Sequence, residues 1–448
     1  MAGDSSEGAP RVGRELSSRL AGFYRLDPDE RLAAVAKAAA LPADMLRAWR
    51  DGLPLDDADH MVENVIGTFS LPNAVAVNFR INGRDRLVPM VVEEPSVLAA
   101  VSYMAKVART RGGFVAETDE PVMIGQIQLM DVRDPDRCEA ALRGALPMLE
   151  EVARGLHPRL VDRGGGVRGF EIRRVVYEEP GEPREVMVVL HVLLDCRDAM
   201  GANMVNTVCE HLAPLVEEAT GESVGLRILS NLASHRLARA KVWIDPADLT
   251  QPDMDGQLVA ERICAAWRFA WADPFRAATH NKGVMNGIDA VALATGNDWR
   301  ALEAGAHAWC ARDGQYRPMT RWKLHGGVLE GSIEIPVQFG TVGGPIRLHP
   351  TVKANLALLD CTEAHDLAQV AVSVGLAQNL AALRALAAEG IQAGHMRMHA
   401  KCVAATAGAR TTDEIDAVVQ GLVDANDFSI ERARGVLAVL RDEPAPSA

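Results

Sequence analysis

Apolar and polar positions alternate with a helical period at the start of the chain and with a strand period further on. Asp27 and Glu30 form a capping box around Pro28, which predicts a helix to about Ala39, and helical segments continue to about Asn64. The chain then turns to sheet. Two strands are expected there, at Val75–Phe79 and Arg86–Val92.

From about Pro121 the pattern changes to a strand, a helix, two strands, a helix and a strand. This β-α-β-β-α-β order is that of a ferredoxin-like split βαβ domain. The six elements are expected at Val122–Asp131, Arg137–Leu156, Gly169–Glu178, Glu185–Leu194, Asn203–Ala219 and Ser223–Leu229.

The remaining residues are mainly helical by the same criteria. Beyond Gly394 a small helical unit is expected, in which Thr411 and Glu414 form a second capping box. The elements before it are a strand at Ala238–Ile244, a long helix from about Gly256, a buried strand at Ala290–Thr295, and Ala- and Leu-rich helices at Trp299–Arg312 and Ala364–Ala388.

The predicted fold class is α+β, with a large mixed helical and sheet domain, an inserted ferredoxin-like domain and a small C-terminal helical lid domain. No internal repeat is visible. Residues 15–120 and 227–390 make the large domain, 121–226 the inserted domain and 391–442 the C-terminal domain, with disordered ends at 1–14 and 443–448.

Composition limits the classes of partner and compartment. The 448 residues carry a net charge of −13, so nucleic acid is not an expected partner and any anionic ligand has to be held by local donors. None of the seven cysteines forms a Cys-x-x-Cys pair, which is typical of a reducing cytosol. No apolar run is long enough to cross a membrane, and the first ten residues lack an apolar signal core. A soluble, cytoplasmic protein is expected.

Two glycine-containing segments are candidates for binding a phosphate. Residues 164–169 spell G-G-G-V-R-G and match G-x-G-x-x-G by letter, but a helix precedes them and a strand follows, the reverse of what that fingerprint needs. We interpret them as a flexible connection. The segment Asp198–Asn203 instead leads from a strand into a helix, where Gly201 allows close backbone approach and free N–H groups can hold a pyrophosphate. The alternative is an ordinary turn in which Asp198 or Asn203 caps the helix.

Seven strings, in this order over roughly residues 18 to 440, resemble the class II (soluble, bacterial-type) 3-hydroxy-3-methylglutaryl-coenzyme A (HMG-CoA) reductases. The lysine inside T-H-N-K-G resembles that of the soluble class. The strings are E-N-V-I-G from Glu63, N-G-R-D from Asn82, V-P-M-V-V-E-E-P-S from Val88, D-A-M-G-A-N from Asp198, T-H-N-K-G-V-M-N-G from Thr279, T-G-N-D from Thr295 and G-H-M from Gly394.

The resemblance implies an intertwined homodimer, or a higher assembly of dimers. Its large domain is expected to bind coenzyme A (CoA), its ferredoxin-like domain the nicotinamide cofactor, and its C-terminal domain to close over the site. One departure concerns the cofactor, because relatives that prefer NAD carry an aspartate seven residues before the glycine run, where this chain has His157. The implied cofactor-binding residues are Asp198, Ala199, Met200, Gly201 and Asn203.

By resemblance, four residues carry the chemistry. Glu94 protonates the developing alkoxide, and Lys282, expected in a Gly- and Asn-rich loop, stabilises oxygen anions. Asp298 pairs with both of them, and His395 protonates the leaving CoA thiolate. Three of them have an ordinary alternative: an exposed acid at a strand end for Glu94, a surface lysine for Lys282 and a helix N-cap for Asp298.

Four further residues are expected to bind the substrate: Ser96, Arg276, Thr279 and Asn286. Arg276 offers two parallel hydrogen bonds to a carboxylate, with a structural ion pair as its alternative. Arg25 is a further candidate for CoA phosphates. His399 lies four residues after His395, but no third ligand accompanies the pair, so no metal is expected.

The expected activity interconverts HMG-CoA and mevalonate plus CoA by two successive hydride transfers, with CoA as co-substrate and NAD as cofactor. Glu150 and Glu151 favour NAD, whereas Arg154 and Arg159 favour the alternative, NADP. The resemblance favours mevalonate oxidation in the cell. Two other readings stay open: another CoA-thioester oxidoreductase on the same scaffold, and a non-catalytic CoA-binding protein.

Overall fold

The computed structural model describes residues 16–388 and 400–441. The helices are α1 (Pro28–Ala39), α2 (Ala43–Asp51), α3 (Leu55–Met61), α4 (Val97–Ala108), α5 (Pro135–Leu156), α6 (Pro158–Asp162), α7 (Ala202–Thr220), α8 (Gly256–Ala272), α9 (Pro274–Ala294), α10 (Trp299–Cys310), α11 (Gly344–Leu348), α12 (Pro350–Leu359), α13 (Ala364–Ala387), α14 (which includes residues 400–407), α15 (Thr412–Ala425) and α16 (Ile430–Leu440). Short 3-10 helices lie at Phe23–Arg25, Arg109–Arg111 and Pro246–Leu249.

The strands form two separate sheets. They are β1 (Asn73–Ile81), β2 (Arg84–Val91), β3 (Phe114–Thr118), β4 (Val122–Met130), β5 (Gly166–Tyr177), β6 (Glu185–Asp195), β7 (Ser223–Ser230), β8 (Leu237–Ile244), β9 (Thr320–His325) and β10 (Val328–Pro336). The larger sheet has the order β2-β1-β3-β8-β10-β9, in which β1 and β3 are parallel and the other neighbours antiparallel. Helices α4, α8, α9 and α13 pack on this sheet, and the main apolar core lies between them.

The smaller sheet carries the predicted β-α-β-β-α-β order, which is confirmed. Its strand order is β5-β6-β4-β7, all antiparallel, and α5 and α7 pack on it around a core of their own. The chain leaves the larger sheet at β3 and returns in β8, and these two strands pair directly, with Phe114 opposite Val242. The unit is therefore an insertion whose two ends meet. Because β7 runs to Ser230, the unit extends past residue 226.

Helix α13 lies at the centre of the large domain. Among the helices of residues 16–388 and 400–441 it alone is long and apolar enough to cross a bilayer, and 78% of its apolar window is buried inside the protein. Burial of that extent is typical of a core helix. The C-terminal helices α14, α15 and α16 pack around a small apolar core of their own.

The expectations for residues 279–295 are wrong in two respects. The sequence pattern predicts a loop around Lys282 and a strand at Ala290–Thr295, but both lie in helix α9. Glycine disfavours a helix by about 1 kcal/mol, which is why the pattern indicated a loop. In the structure Gly287 is a site of close helix packing, since a Cβ there would lie 3.0 Å from the carbonyl oxygen of Val374 in α13.

Candidate active site

A lysine–glutamate pair lies where β2 ends and α9 passes it. Glu94 follows the end of β2 at Val91, and its Oε2 atom accepts hydrogen bonds from Nζ of Lys282 and, at 3.2 Å, from Nδ2 of Asn286. The Lys282 side chain is 60% exposed and that of Glu94 is 29% exposed. Exposed ion pairs add at most about 1 kcal/mol to stability. The pair therefore adds little to the stability of the fold.

Four of the predicted residues lie on one side of α9. Since residues advance about 100° per position around a helix, Arg276, Thr279, Lys282 and Asn286 fall within an arc of about 120°. Arg276 is half-buried, burial lowers its pKa, and no acid of the described ranges forms an ion pair with it. The structure therefore gives no support to the ion-pair alternative. A guanidinium without an acid partner, on the same side of the helix as an ammonium, suits an anionic group of a ligand.

Ser96 is held in an unusual backbone conformation next to this pair. It precedes α4 with φ at 76°, in the left-handed region that residues other than glycine rarely adopt. Its Oγ atom is buried and has no hydrogen-bond partner among the described residues. A backbone of this kind costs about 1–3 kcal/mol and tends to occur at functional sites, and an unsatisfied buried hydroxyl adds a similar cost. A ligand that bonds to Ser96 would satisfy this hydroxyl.

Glu94 and Ser96 line a cleft of about 1410 Å³. Its walls come from α4, from β1 and from the N-terminal segment, and Lys401 of the C-terminal helices also reaches it. Five cations line the cleft: Arg19, Arg31, Arg50, Lys106 and Lys401. Arg25, the weaker candidate, lies beside the cleft and donates to the hydroxyl of Tyr24 in its wall. Three acids, Asp29, Glu93 and Glu94, line it as well, and Arg50 pairs with Asp29. The five cations still exceed the acids by two charges, which favours an anionic molecule in a chain that is negative overall.

A buried polar network fixes α9 in the core. His280 contacts Thr320 at 2.7 Å, and the Thr320 hydroxyl donates to Oδ1 of Asn379 in α13. Because that hydroxyl has a single proton, Nε2 of His280 must be the donor in their contact. Burial and the charge of Arg276 lower the pKa of His280 to about 3, so this ring stays neutral. The helix that carries Lys282 is thus tied to both β9 and α13.

Asp298 lies away from this pair within one chain. Its carboxylate accepts from the N–H of Ala301 at 3.2 Å and approaches Arg300 at 3.4 Å, so the N-cap alternative is confirmed. The backbone N–H of Asn297 bonds to Ala292, which keeps this loop at the end of α9. Ala292 is ten residues beyond Lys282, or about 15 Å along the helix axis. The structure therefore does not bring Asp298 to Lys282 within one chain.

The Asp198–Asn203 segment makes the start of α7. Gly201 precedes the helix with φ at 101°, and a Cβ there would lie 2.3 Å from Sγ of Cys196. Oδ1 of Asp198 accepts from the N–H of Ala364 at the start of α13, and Asn203 lies inside α7, so neither of them caps α7. The carbonyl oxygens of Ala199 and Met200 accept from Arg236, a residue for which the sequence offers no motif.

Three other expectations have mixed outcomes. The G-G-G-V-R-G segment follows α6 and runs into β5, which confirms that its context is not that of a Rossmann loop. His395 and His399 lie outside the described residues. Within residues 16–388 and 400–441, no three His, Cys, Asp or Glu side chains gather in a way that could hold a metal ion.

Fold and site together define a multidomain α+β enzyme in which a lysine–carboxylate pair opens onto a cleft rich in cations. A family model described as hydroxymethylglutaryl-coenzyme A reductase matches residues 27–400. The chain belongs to this family of oxidoreductases, as the strings in its sequence indicate.

Similarity to individual members covers nearly the whole chain. The HMG-CoA reductase of Archaeoglobus fulgidus is 47% identical over 433 residues, which are 96% of this chain and 97% of that protein. A probable HMG-CoA reductase of Borreliella burgdorferi is 34% identical over 76% of each chain. The solved class II enzyme of Streptococcus pneumoniae, bound to NADPH in open conformations, is 40% identical with a TM-score of 0.77 over 93% of this chain and 100% of that one.

An acidic pair, which the sequence analysis did not single out, lies between α9 and α10. Asp289 lies on α9, seven residues after Lys282, and its neighbour Glu303 lies on α10. Glu303 is four residues before His307 on the same helix. Burial and the negative charge of Glu303 raise the pKa of Asp289 to about 8. His307 in turn bonds to Tyr316 at 2.7 Å. Burial beside Glu303 therefore favours the protonated form of Asp289, and the two side chains connect the helix of Lys282 to the helix that follows Asp298.

We expect this pair to make stability fall as the pH rises. Because the folded-state pKa of Asp289 lies above the value of about 3.9 in an unfolded chain, its contribution is complete below about pH 4 and is lost as the pH rises through about 8. Asp289→Asn keeps the hydrogen bond but cannot ionise. The slope of unfolding free energy against pH should become flatter by up to about 1.4 kcal/mol per pH unit between pH 6 and 8.

Urea unfolding at pH 6, 7 and 8 measures this difference. Asp413→Asn, at an exposed position in the first turn of α15, is the matched control and should follow the original chain. Equal slopes for Asp289→Asn and the original chain would show that the pKa of Asp289 is not raised in the folded state.

Proposed function

We propose that this chain interconverts HMG-CoA and mevalonate plus CoA by two successive hydride transfers. The observation that carries the proposal is the grouping of Lys282, Glu94 and Asn286 with two anion-binding groups, Ser96 and Arg276, beside a large cleft. An ammonium and a carboxyl group at one oxygen are what reduction of a carbonyl needs, since the oxygen gains charge and then a proton.

Lys282 and Glu94 act on the reacting oxygen. The ammonium of Lys282 stabilises the negative charge that develops there at each of the two carbonyl reductions. Glu94, in its protonated form, delivers the proton to that oxygen, and the hydrogen bond from Asn286 holds its carboxyl group in place. The reduced dinucleotide, when bound, supplies the hydride. In the oxidative direction the same groups act in reverse.

The other residues bind the substrate and expel the thiol. Arg276 and Ser96 hold the substrate carboxylate, and the exposed Thr279 adds a hydroxyl on the same side of α9. His395 protonates the departing CoA thiolate, a task for which an imidazole with a pKa near neutrality is suited. Asp298 reaches Lys282 and Glu94 from the second chain of a dimer and tunes both.

CoA occupies the cleft beside Glu94. Its phosphates carry several negative charges, and the cleft supplies cations to meet them. The Nε atom of Arg31 is buried there without a hydrogen-bond partner in the described part of the chain, which leaves it available for a ligand. Lys401 brings a further charge from the C-terminal helices, so CoA would hold that unit against the large domain.

The dinucleotide binds at the start of α7. The first N–H groups of a helix have no partner inside it, and the absence of a side chain at Gly201 lets the pyrophosphate approach the backbone closely. Residues Asp198, Ala199, Met200 and Asn203 shape the same turn. The fit of this turn to a dinucleotide agrees with the expected role of the ferredoxin-like unit.

We assign NAD(H) as the preferred cofactor. Of the residues that would meet a 2′-phosphate, Arg154 is paired with Glu150, and the ring of His157 lies 3.3 Å from the carbonyl oxygen of Met204 in the first turn of α7. Both of these side chains have partners inside the chain, whereas the exposed Arg159 forms no ion pair among the described residues and stands against the assignment. Mevalonate oxidation is the proposed cellular direction, on the resemblance to family members of that kind, and a preference for NAD agrees with it.

A homodimer, or an assembly of dimers, completes the site. The separation of Asp298 from Lys282 within one chain is the first support. The second is apolar exposure, since Ile66 is 101% exposed and Phe69 is 90% exposed in the extended segment before β1. Side chains of this size in one segment mark a surface that another chain covers. A cytoplasmic location agrees with the cysteines of the described residues, all of which are free thiols.

Lys282 and His395 should affect different half-reactions. Lys282→Ala should slow both HMG-CoA reduction and the reduction of free mevaldehyde, by about 3 kcal/mol or more at each barrier, because an oxyanion forms in both. His395→Gln should slow HMG-CoA reduction by about two orders of magnitude but spare mevaldehyde, from which no thiolate leaves. Stopped-flow absorbance at 340 nm measures both rates.

Lys353→Ala and His211→Gln, at exposed positions on α12 and α7, control for loss of a lysine and a histidine, and circular dichroism checks the fold. Equal slowing of both half-reactions in His395→Gln would rule out the leaving-group role and assign a positioning role instead.

The cofactor assignment predicts a higher kcat/KM with NAD than with NADP in mevalonate oxidation. His157→Asp should increase that ratio, because a carboxylate repels a 2′-phosphate and accepts bonds from the ribose hydroxyls. Steady-state rates with mevalonate, CoA and each oxidised cofactor measure it, with Arg137→Ala at the exposed start of α5 as control. A ratio at or below one in the original chain would contradict both the NAD assignment and the oxidative direction.

Subunit mixing tests the shared site. Lys282→Ala and Asp298→Asn chains should each be inactive, yet a mixture that exchanges subunits freely should regain about a quarter of full activity, since half the dimers are mixed and each has one intact site. Native mass spectrometry confirms exchange. No recovery after complete exchange would mean that Lys282 and Asp298 act within one chain.

A further inference from the structure

We propose that Arg236 is a positioning residue for the nicotinamide dinucleotide: its guanidinium holds the Asp198–Gly201 turn in the form that lets the start of α7 bind the phosphates. The inference rests on the proposed function, which places the dinucleotide at that helix start. Arg236 touches neither substrate nor cofactor in this assignment and acts through the backbone it binds.

The guanidinium is buried against backbone carbonyl groups. Arg236 is 5% exposed and immediately precedes β8. Its Nη1 atom donates to the carbonyl oxygens of Ala199 at 3.1 Å and Met200 at 3.4 Å, and Nη2 donates to that of Phe339. No carboxylate of residues 16–388 or 400–441 lies within ion-pair distance of it. Its role is therefore to bind backbone rather than to neutralise an acid.

These bonds have a direct consequence for an anion at α7. The oxygen end of a peptide group carries partial negative charge, and two such oxygens lie in the turn that leads into the helix. Because the oxygens of Ala199 and Met200 both face Arg236, they are directed to a cation and not to the bound phosphates. The N–H groups at the start of the helix are then the main polar groups that the dinucleotide meets.

The turn is held on its other side as well. The N–H of Thr341 donates to the carbonyl oxygen of Asp198 at 2.9 Å, and Ala199 pairs with Val342 as in a parallel sheet. A Cβ on Gly340 would lie 2.8 Å from the nitrogen of Met200, so the two backbones are in close contact. Residues of the large domain thus hold the Asp198–Gly201 turn of the inserted unit from two sides, and Arg236 is the charged residue among them.

Direct binding measurements on the full-length enzyme test the proposal. Isothermal titration with NADH and, separately, with CoA would compare the original chain with Arg236→Met and Arg236→Lys. Arg236→Met should raise the Kd for NADH about tenfold or more, with the Kd for CoA within twofold of the original. Arg236→Lys keeps the charge but not the planar fork, so its Kd for NADH should rise less.

Two further variants separate the possible outcomes. Arg239→Met removes an arginine from β8 that pairs outward with Asp119 and Glu334, and it should leave both affinities unchanged. Gly201→Ala disturbs the start of α7 itself and should weaken NADH binding. If it does not, the dinucleotide site of the proposed function is misplaced.

If Gly201→Ala weakens NADH binding but both Arg236 variants bind it normally, the positioning role alone is wrong. Parallel loss of NADH and CoA affinity in Arg236→Lys would also overturn it, because the arginine would then support the whole fold. Should Arg236→Met fail to fold, the lysine variant decides alone: a Kd for NADH about threefold higher with normal CoA binding supports the proposal, and a normal Kd rejects it.

Discussion

The packing of α9 between the larger sheet and α13 is the contact on which the candidate site depends. Gly287 lets the two helices approach until a Cβ would meet backbone, and the bonds from His280 through Thr320 to Asn379 fix the rotation of α9. A lysine on a surface loop would lose much conformational freedom on meeting a substrate. Lys282 has its backbone held by the core while its ammonium stays accessible, so less freedom is lost.

The same helix shows where prediction from sequence stops. The order of strands and helices in the inserted unit follows from alternation and turn residues, which are local signals, and it was predicted correctly. Asn281 and Gly287 are residue types typical of loops, yet both lie in α9. They are stabilised there by distant partners, since Asn281 bonds to the backbone of Arg317 and Met319. A prediction from neighbouring residues cannot detect tertiary partners of this kind.

The candidate residues divide in a similar way. Glu94, Lys282 and Asn286 belong to strings that resemble a known family, and the structure brings these three together. Arg236 is a single arginine without a motif, and only its three carbonyl partners distinguish it from other cations. The strands β9 and β10 were also missed, although the pair Gly326 and Gly327 between them is an ordinary hairpin signal.

Helix α13 sets a limit on how the site can close. Its first N–H group, on Ala364, bonds to Asp198 in the turn before α7, and the helix ends at Ala387, ahead of His395 and the C-terminal helices. A helix of 24 residues is about 36 Å long, and this one is largely buried, so it neither bends nor shifts without disturbing the main core. In the proposed function, the C-terminal helices therefore close over the cleft without displacing α13. The Asp198–Gly201 turn, which is the proposed dinucleotide site, is bonded to the other end of α13 and keeps its place in that proposal.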